Sequence, residues 1–244
     1  MLMQSSDPLN GGKPKGQGII AHRLQRSFKP RFAVIYPFGF FVLFFCSVDE
    51  ASLKSGIGLI ITGALLRLWS NGYAIKNDKL TTSGPYAFVR NPLYLGTFLV
   101  ATGFVMVLRS NPPQLEWIGG GIFLLALSFM YYRTIKLEEG MLFSKFQTAY
   151  SDYCRQIPAM IPCLVPYTRG EKWSFNLQRL INSKEHKTAF WIFILLTFFY
   201  IKTRTLMEHR ALDENCWNLL SVSLFLIILD AAYEFNKKKF QVKV

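Results

Sequence analysis

Two short stretches hold most of the side chains able to do chemistry. The first, Ser83–Gly96, carries Tyr86, Arg90, Asn91, Pro92 and Tyr94. Gly84-Pro85 reads as a turn, Asn91 as a helix N-cap and Pro92 as a first helical residue. Arg90 then falls just before a helix N-terminus, where free N–H groups, the helix dipole and a guanidinium together suit an anion. Tyr94 and Gly96 follow on the first turns, and Gly96 allows backbone or ligand to come close. The second stretch opens on Glu138-Glu139 and continues with Leu142, Phe146, Tyr150 and Tyr153. These recur at helical spacing, one apolar-aromatic stripe on a charged helix of the kind that lies along a headgroup layer. Taken singly, each stretch has a plainer reading: a helix start with an interfacial arginine, and two carboxylates paired with nearby Arg133 and Lys136.

The elements that position these stretches read as membrane helices. Of 244 residues, 51% are hydrophobic, and they come in blocks with few charges inside them. The blocks are Phe32–Val48, Gly56–Tyr73, Pro92–Leu108, Trp117–Tyr132, Ala189–Ile201 and Leu219–Ala232. The expected fold is all-α: a polytopic transmembrane bundle of about six spans with an interfacial amphipathic helix on the cytoplasmic side. The last two blocks are the short ones and need flanking residues to cross. Aromatic residues, 22 Phe, 11 Tyr and 5 Trp, gather at block ends as interfacial belts do. Basic residues divide 22 to 5 between the two sides of such a bundle, which predicts both termini in the cytoplasm. Three regions follow: a basic flexible tail over 1–31, a core of four spans plus the motif helix over 32–166, and an extension with two further spans over 167–244.

Blocks three and four are joined by a turn containing Asn111-Pro112-Pro113, too short for anything but an antiparallel hairpin. Arg90 and Glu138/Glu139 therefore return to one level, where an anion site and two carboxylates meet at the mouth of a bundle. A zwitterionic, partly cationic cofactor suits that mouth, and S-adenosylmethionine is one.

The run GPYxxxRNPxYxG, followed by EExxLxxxFxxxYxxYxxxIPxxIP, resembles the membrane methyltransferases that include isoprenylcysteine carboxyl methyltransferases and phospholipid N-methyltransferases. The resemblance covers roughly Gly56–Pro166. It implies S-adenosylmethionine as cofactor, a lipid bilayer as surroundings and a lipidated or lipidic methyl acceptor. It also implies Arg90, Glu138 and Glu139 as catalytic residues. The cofactor-binding set it points to is Tyr86, Arg90, Asn91, Pro92, Tyr94, Gly96, Glu138, Glu139, Tyr150 and Tyr153. Three positions depart from the family pattern, which often has His, Gly and Arg where this chain has Asn91, Gln147 and Ala159. Carboxyl O-methylation of an isoprenylcysteine-like acid is the leading expectation, with N-methylation of an aminolipid as the alternative. An NADPH-dependent membrane reductase and a non-catalytic scaffold are the rivals outside methyl transfer. The membrane is expected to be a bacterial cytoplasmic membrane or the endoplasmic reticulum.

Other classes find less support. The net charge of +13 follows topology rather than one face, which argues against a nucleic-acid partner. Cys46, Cys154, Cys163 and Cys216 are scattered, with no CxxC and no metal-like pairing with His22, His186 or His209, so neither a metal site nor a disulfide framework is expected. No Gly-rich fingerprint follows a predicted strand. Gly119-Gly120-Gly121 reads as close helix packing. Arg67 is expected to snorkel to headgroups or to line a pocket, and Asp230, within a turn or two of Lys237-Lys238-Lys239, to be a paired interfacial residue.

Overall fold

A computed structural model describes residues 30–75, 79–170, 172, 174–183 and 185–241. The basic tail expected over 1–31 lies outside these, apart from its last two residues. Seven α-helices make up the described chain: α1 Pro30–Phe45, α2 Glu50–Tyr73, α3 Pro92–Val107, α4 Gln114–Gln156, α5 Leu177–Ser183, α6 Glu185–Lys202 and α7 Glu214–Gln241. Four segments are long and apolar enough to cross a membrane: α2, α4, Lys187–Met207 and Glu214–Phe235. Ala33–Phe45 and Pro92–Val107 are shorter apolar helices. The protein is an integral membrane protein, with six apolar helices among the described residues. The short ones are the first and third rather than the last two, because α6 runs on through a π-helical turn (Thr203–Met207) and α7 begins five residues earlier than its apolar block.

Helix α2 starts on a reciprocal cap in which Ser52 N–H donates to Asp49 Oδ1 at 2.6 Å and Asp49 N–H to Ser52 Oγ at 3.0 Å. Its packing against α3 is the closest in the bundle and depends on glycines facing one another. A Cβ added at Gly56 would stand 2.1 Å from the Gly103 carbonyl oxygen, and one at Gly63 would stand 2.5 Å from that of Gly96. Both pairs are seven residues apart on their own helix, so the small residues line up over two turns and the backbones touch. Gly119 and Gly120 admit the Phe41 ring and Val105 in the same way, whereas Gly121 faces open space. Helix α1 docks on α4 through the stacked rings of Phe38 and Phe123, whose centroids are 3.8 Å apart.

The helices alternate between two ends. At the far end, Cys46 and Ser47 pair antiparallel with Ser110 and Arg109. There Lys202 Nζ donates to the Cys46 carbonyl at 2.8 Å and Val48 N–H to Thr203 Oγ1 at 2.8 Å. At the near end, Arg67 pairs with Glu185 at 2.7 Å, and Lys187 with Asp230 and Glu234 at 2.6 and 2.7 Å. These contacts replace the snorkelling expected of Arg67 and give Asp230 its partner. Arg67 bonds across to α6 and to the Leu93 carbonyl and Thr97 hydroxyl of α3 instead of snorkelling. Asp230 pairs with Lys187 of the neighbouring helix, where the antiparallel α6–α7 arrangement brings the two together.

The fourth block and the motif helix form one element. Helix α4 spans Gln114–Gln156, and its unbroken part before Gln147 alone is about 50 Å long at 1.5 Å per residue, well over a hydrocarbon core. It is interrupted at Gln147, whose φ of 43° and ψ of −113° lie outside helical space. The outward faces of α1, α4 and α7 are apolar, with Phe40, Phe44, Leu125, Phe129, Leu224 and Phe225 all exposed, as a lipid-facing surface requires.

Gly63→Val puts two methyls and a Cβ into the Gly96 backbone. It is expected to lower the thermal unfolding midpoint in detergent by an amount matching about 1–3 kcal/mol of overpacking. Gln147→Gly relieves a positive φ and is expected to raise that midpoint, by up to about 1 kcal/mol; an unchanged or lower midpoint would show that the break carries no strain.

Candidate functional site

The site forms where α2 ends, α3 begins and α4 passes. After Tyr73 the chain reaches the 3₁₀ turn Gly84–Ala87, entered with Gly84 at φ 61°. A Cβ there would lie 2.6 Å from the Tyr73 ring, so both backbone and space require glycine. Pro92 then opens α3 at its first position, as expected. Asn91 occupies the N-cap position without making a side-chain cap. Its Nδ2 donates instead to the Ala159 carbonyl at 3.1 Å, because the segment after α4 has folded back alongside.

That return is held by main-chain bonds. Arg90 N–H donates to Pro158 O at 2.9 Å, Asn91 N–H to Ala159 O at 3.2 Å, Cys163 N–H to Phe88 O at 2.9 Å and Tyr167 N–H to Ala87 O at 2.9 Å. Tyr153 Oη adds a bond to the Tyr86 carbonyl at 2.5 Å. The two chemical stretches, some fifty residues apart, are thereby sewn into one structure. Tyr153 and Ile157 are almost fully buried in it, with Leu80, Leu142, Phe146 and Tyr167 packed around them.

Between the stretches lies a cavity of about 470 Å³, within the range of small-molecule sites. Tyr86, Arg90, Asn91, Pro92, Tyr94, Glu138, Tyr150 and Tyr153 all line it. Two expected residues do not. Gly96 packs against Gly63 and the stem of Arg67, so its close approach serves helix packing. Glu139 stands beside the cavity, 2.8 Å from Arg90 Nη1, with side-chain exposures of 14% and 15%. Lys136 lies 3.3 Å from its other oxygen. The carboxylate pair thus divides its work: Glu138 faces the cavity and accepts from Tyr94 Oη at 2.7 Å, while Glu139 balances Arg90.

Arg90 is held from a third side by Cys154, whose Sγ accepts from Nη1 at 2.8 Å. Its contact with Glu139 Oε1 is an ion pair by distance that lacks hydrogen-bond geometry. Arg90 Nε and Glu139 Oε1 are consequently buried with hydrogen-bonding capacity unused. Burial holds the Tyr86 phenol well above its ordinary pKa, and the Glu138 carboxylate adds to the shift. Tyr86 is therefore a neutral hydroxyl at physiological pH.

Lining residues that the motifs did not single out are Ala74, Ile75, Lys79, Leu80, Thr81, Leu93, Met141 and Lys145. Met141 and Lys145 were within reach of the sequence: with Glu138 and Leu142 they recur at spacings of three and four, one helical face. Lys79 and its neighbours carry no periodic signal. Among the described residues, no group of three or more His, Cys, Asp or Glu side chains could hold a metal ion.

Comparison with known proteins bears on this arrangement. A protein-S-isoprenylcysteine O-methyltransferase of Schizosaccharomyces pombe is 32% identical over 139 residues, 52% of this chain and 55% of that protein. One of the same name from Tribolium castaneum is 31% identical over 138 residues, 51% of this chain and 47% of that protein. The resemblance to isoprenylcysteine methyltransferases holds. A cobalt-zinc-cadmium resistance protein, CzcN, of Cupriavidus metallidurans is also similar, 32% identical over 124 residues, 50% of this chain and 53% of that protein. The chain spans about half the length of the curated relatives it matches. No family model and no solved structure matches it.

Asn91→Ala removes the bond to Ala159 without touching the helix start. It is expected to cost about 1 kcal/mol in thermal unfolding and to raise hydrogen exchange at Arg90 and Asn91 while leaving α6 and α7 unaffected. Exchange rising equally across all helices would contradict a local role.

Proposed function

We propose that the protein transfers a methyl group from S-adenosylmethionine to a membrane-resident acid, as a carboxyl O-methyltransferase for an isoprenylcysteine-like or other lipidic carboxylate. The observation that carries the reading is that both motifs of the resemblance meet at one cavity, at the end of a bundle whose flanks are lipid-facing. The relatives named as isoprenylcysteine O-methyltransferases support the same reaction class.

The residues present fit such a cofactor. Tyr86, Phe146, Tyr150 and Tyr153 give the cavity aromatic walls for an adenine and a sulfonium. Glu138 offers a carboxylate to an amine or to ribose hydroxyls. Arg90 retains a buried, unbonded Nε that can take a carboxylate. When bound, the cofactor supplies an electrophilic methyl on a positively charged sulfur. The chain's own part is alignment, since an in-line displacement needs donor and acceptor held in register and little else.

The acceptor's charge follows from the same walls. Lys79 and Lys145 line the cavity beside Arg90, whose charge Glu139 balances, and the one lining carboxylate, Glu138, is already bonded to Tyr94. That balance favours an anionic acceptor over an amine. A carboxylate is nucleophilic without losing a proton, so no general base is required and Asn91 in place of a family histidine is no obstacle. An aminolipid acceptor would instead need Glu138 to take a proton. The 22-to-5 division of basic residues favours the site end facing the cytoplasm.

Purified protein in lipid, given methyl-labelled S-adenosylmethionine with a farnesylcysteine analogue and a total lipid extract, is expected to yield base-labile label in the organic phase. Arg90→Ala and Glu138→Gln are expected to lower turnover by at least about 100-fold, as loss of an electrostatic or positioning group does. Base-stable label would assign N-methylation, and no transfer together with no cofactor binding would remove the proposal.

A further inference from the structure

Residues 161–165 are the most exposed apolar run at the near end: Ile161 is 76%, Leu164 97% and Val165 76% exposed. Exposure of this kind is costly in water, and a mobile loop would relieve it by folding inward. This loop is held outward. Cys163 N–H and Tyr167 N–H donate to the Phe88 and Ala87 carbonyls, and the Cys163 thiol lies 3.1 Å from both Phe88 O and Val165 O, which share its one hydrogen. With both ends pinned, the residues between them, Leu164 to Pro166, project from the body of the site.

Their level in the bundle is fixed as well. Pro158 and Ala159 bond to Arg90 and Asn91, the two residues before Pro92, where α3 begins its apolar run. The finger therefore starts at the boundary where the membrane helices begin, on the lipid-flanked body already described. Arg155, Arg169 and Lys172, all exposed, stand on either side of it in sequence. Apolar side chains flanked by exposed cations are the chemistry of a segment seated in an anionic lipid interface.

We propose that Ile161, Leu164 and Val165 form a membrane-seated finger that buries in the acyl boundary of the bilayer. The segment whose inner residues Ile157 and Cys163 pack against Tyr150 and Tyr153, two cavity-lining residues, thereby has its outer residues in lipid. That wall of the cavity is tied to the bilayer surface from which a lipidic ligand must come. This inference rests on the membrane setting and stands whichever acceptor the cavity takes.

The test is photo-crosslinking of the full-length protein in phosphatidylcholine–phosphatidylglycerol vesicles. A benzophenone amino acid replaces Leu164, Ile161 or, as the lipid-facing reference on α4, Leu125. Benzophenone inserts into acyl C–H bonds and gives no adduct with water. The expected result is a phospholipid-mass adduct at 164 and 161 with at least half the yield found at 125. A lipid adduct at 125 with none at either finger position would overturn the proposal, as would crosslinking of the finger to a second protein chain in place of lipid.

Discussion

Arg90 and Glu139 stand 2.8 Å apart with side chains about one-seventh exposed, and much of the site depends on their staying together. Each comes from a different stretch of chain, one before α3 and the other midway along α4. Neither charge could be left alone at that burial without a cost of about 3–5 kcal/mol. The pair thus fixes the depth at which α4 passes the start of α3. Glu138, one residue earlier, is thereby brought into the cavity within bonding distance of Tyr94. Cys154, about four turns further on and past the break at Gln147, closes the arrangement from below.

That pair can form only because the helices around it are already placed. The glycine contacts between α2 and α3 bring those backbones together, so the end of α2 and the start of α3 share one wall of the cavity. Arg67, pointing from α2 to Glu185, ties α6 to the same end. The extension over α6 and α7 is therefore joined to the site by a second ion pair, not appended beside it. The main-chain bonds between 87–91 and 158–167 supply what side chains alone would not, a fixed register between the two stretches.

The sequence made the convergence of the two stretches legible, and the reason is elementary: two apolar blocks joined by a short Pro-containing turn must run antiparallel, so their outer ends meet. Charge asymmetry and block pattern likewise pointed to a helical membrane protein. Partners across helices were not legible. Asn91 looked like a cap because its local neighbours suit one, but a carbonyl from seventy residues away took its amide. Arg67 and Asp230 looked like interfacial residues because only residues near in sequence could be weighed, and both found partners on helices that tertiary packing brings alongside. Blocks five and six gain the flanking residues they needed, because polar first and last turns continue α6 and α7 past their apolar blocks. Gln147 stands out on both levels, as a departure from a glycine pattern and as a positive φ.

The most direct test of this account is a double-mutant cycle on thermal unfolding with Arg90→Met, Glu139→Met and both together. Each single change takes the buried partner from a buried charge, Glu139 keeping only the exposed Lys136, and is expected to destabilise by several kcal/mol, whereas the double change removes both charges and is expected to recover most of that loss. The account predicts a coupling of at least about 2 kcal/mol. Additive losses, with the double variant as unstable as the two singles combined, would show that the pair does not hold the two stretches together.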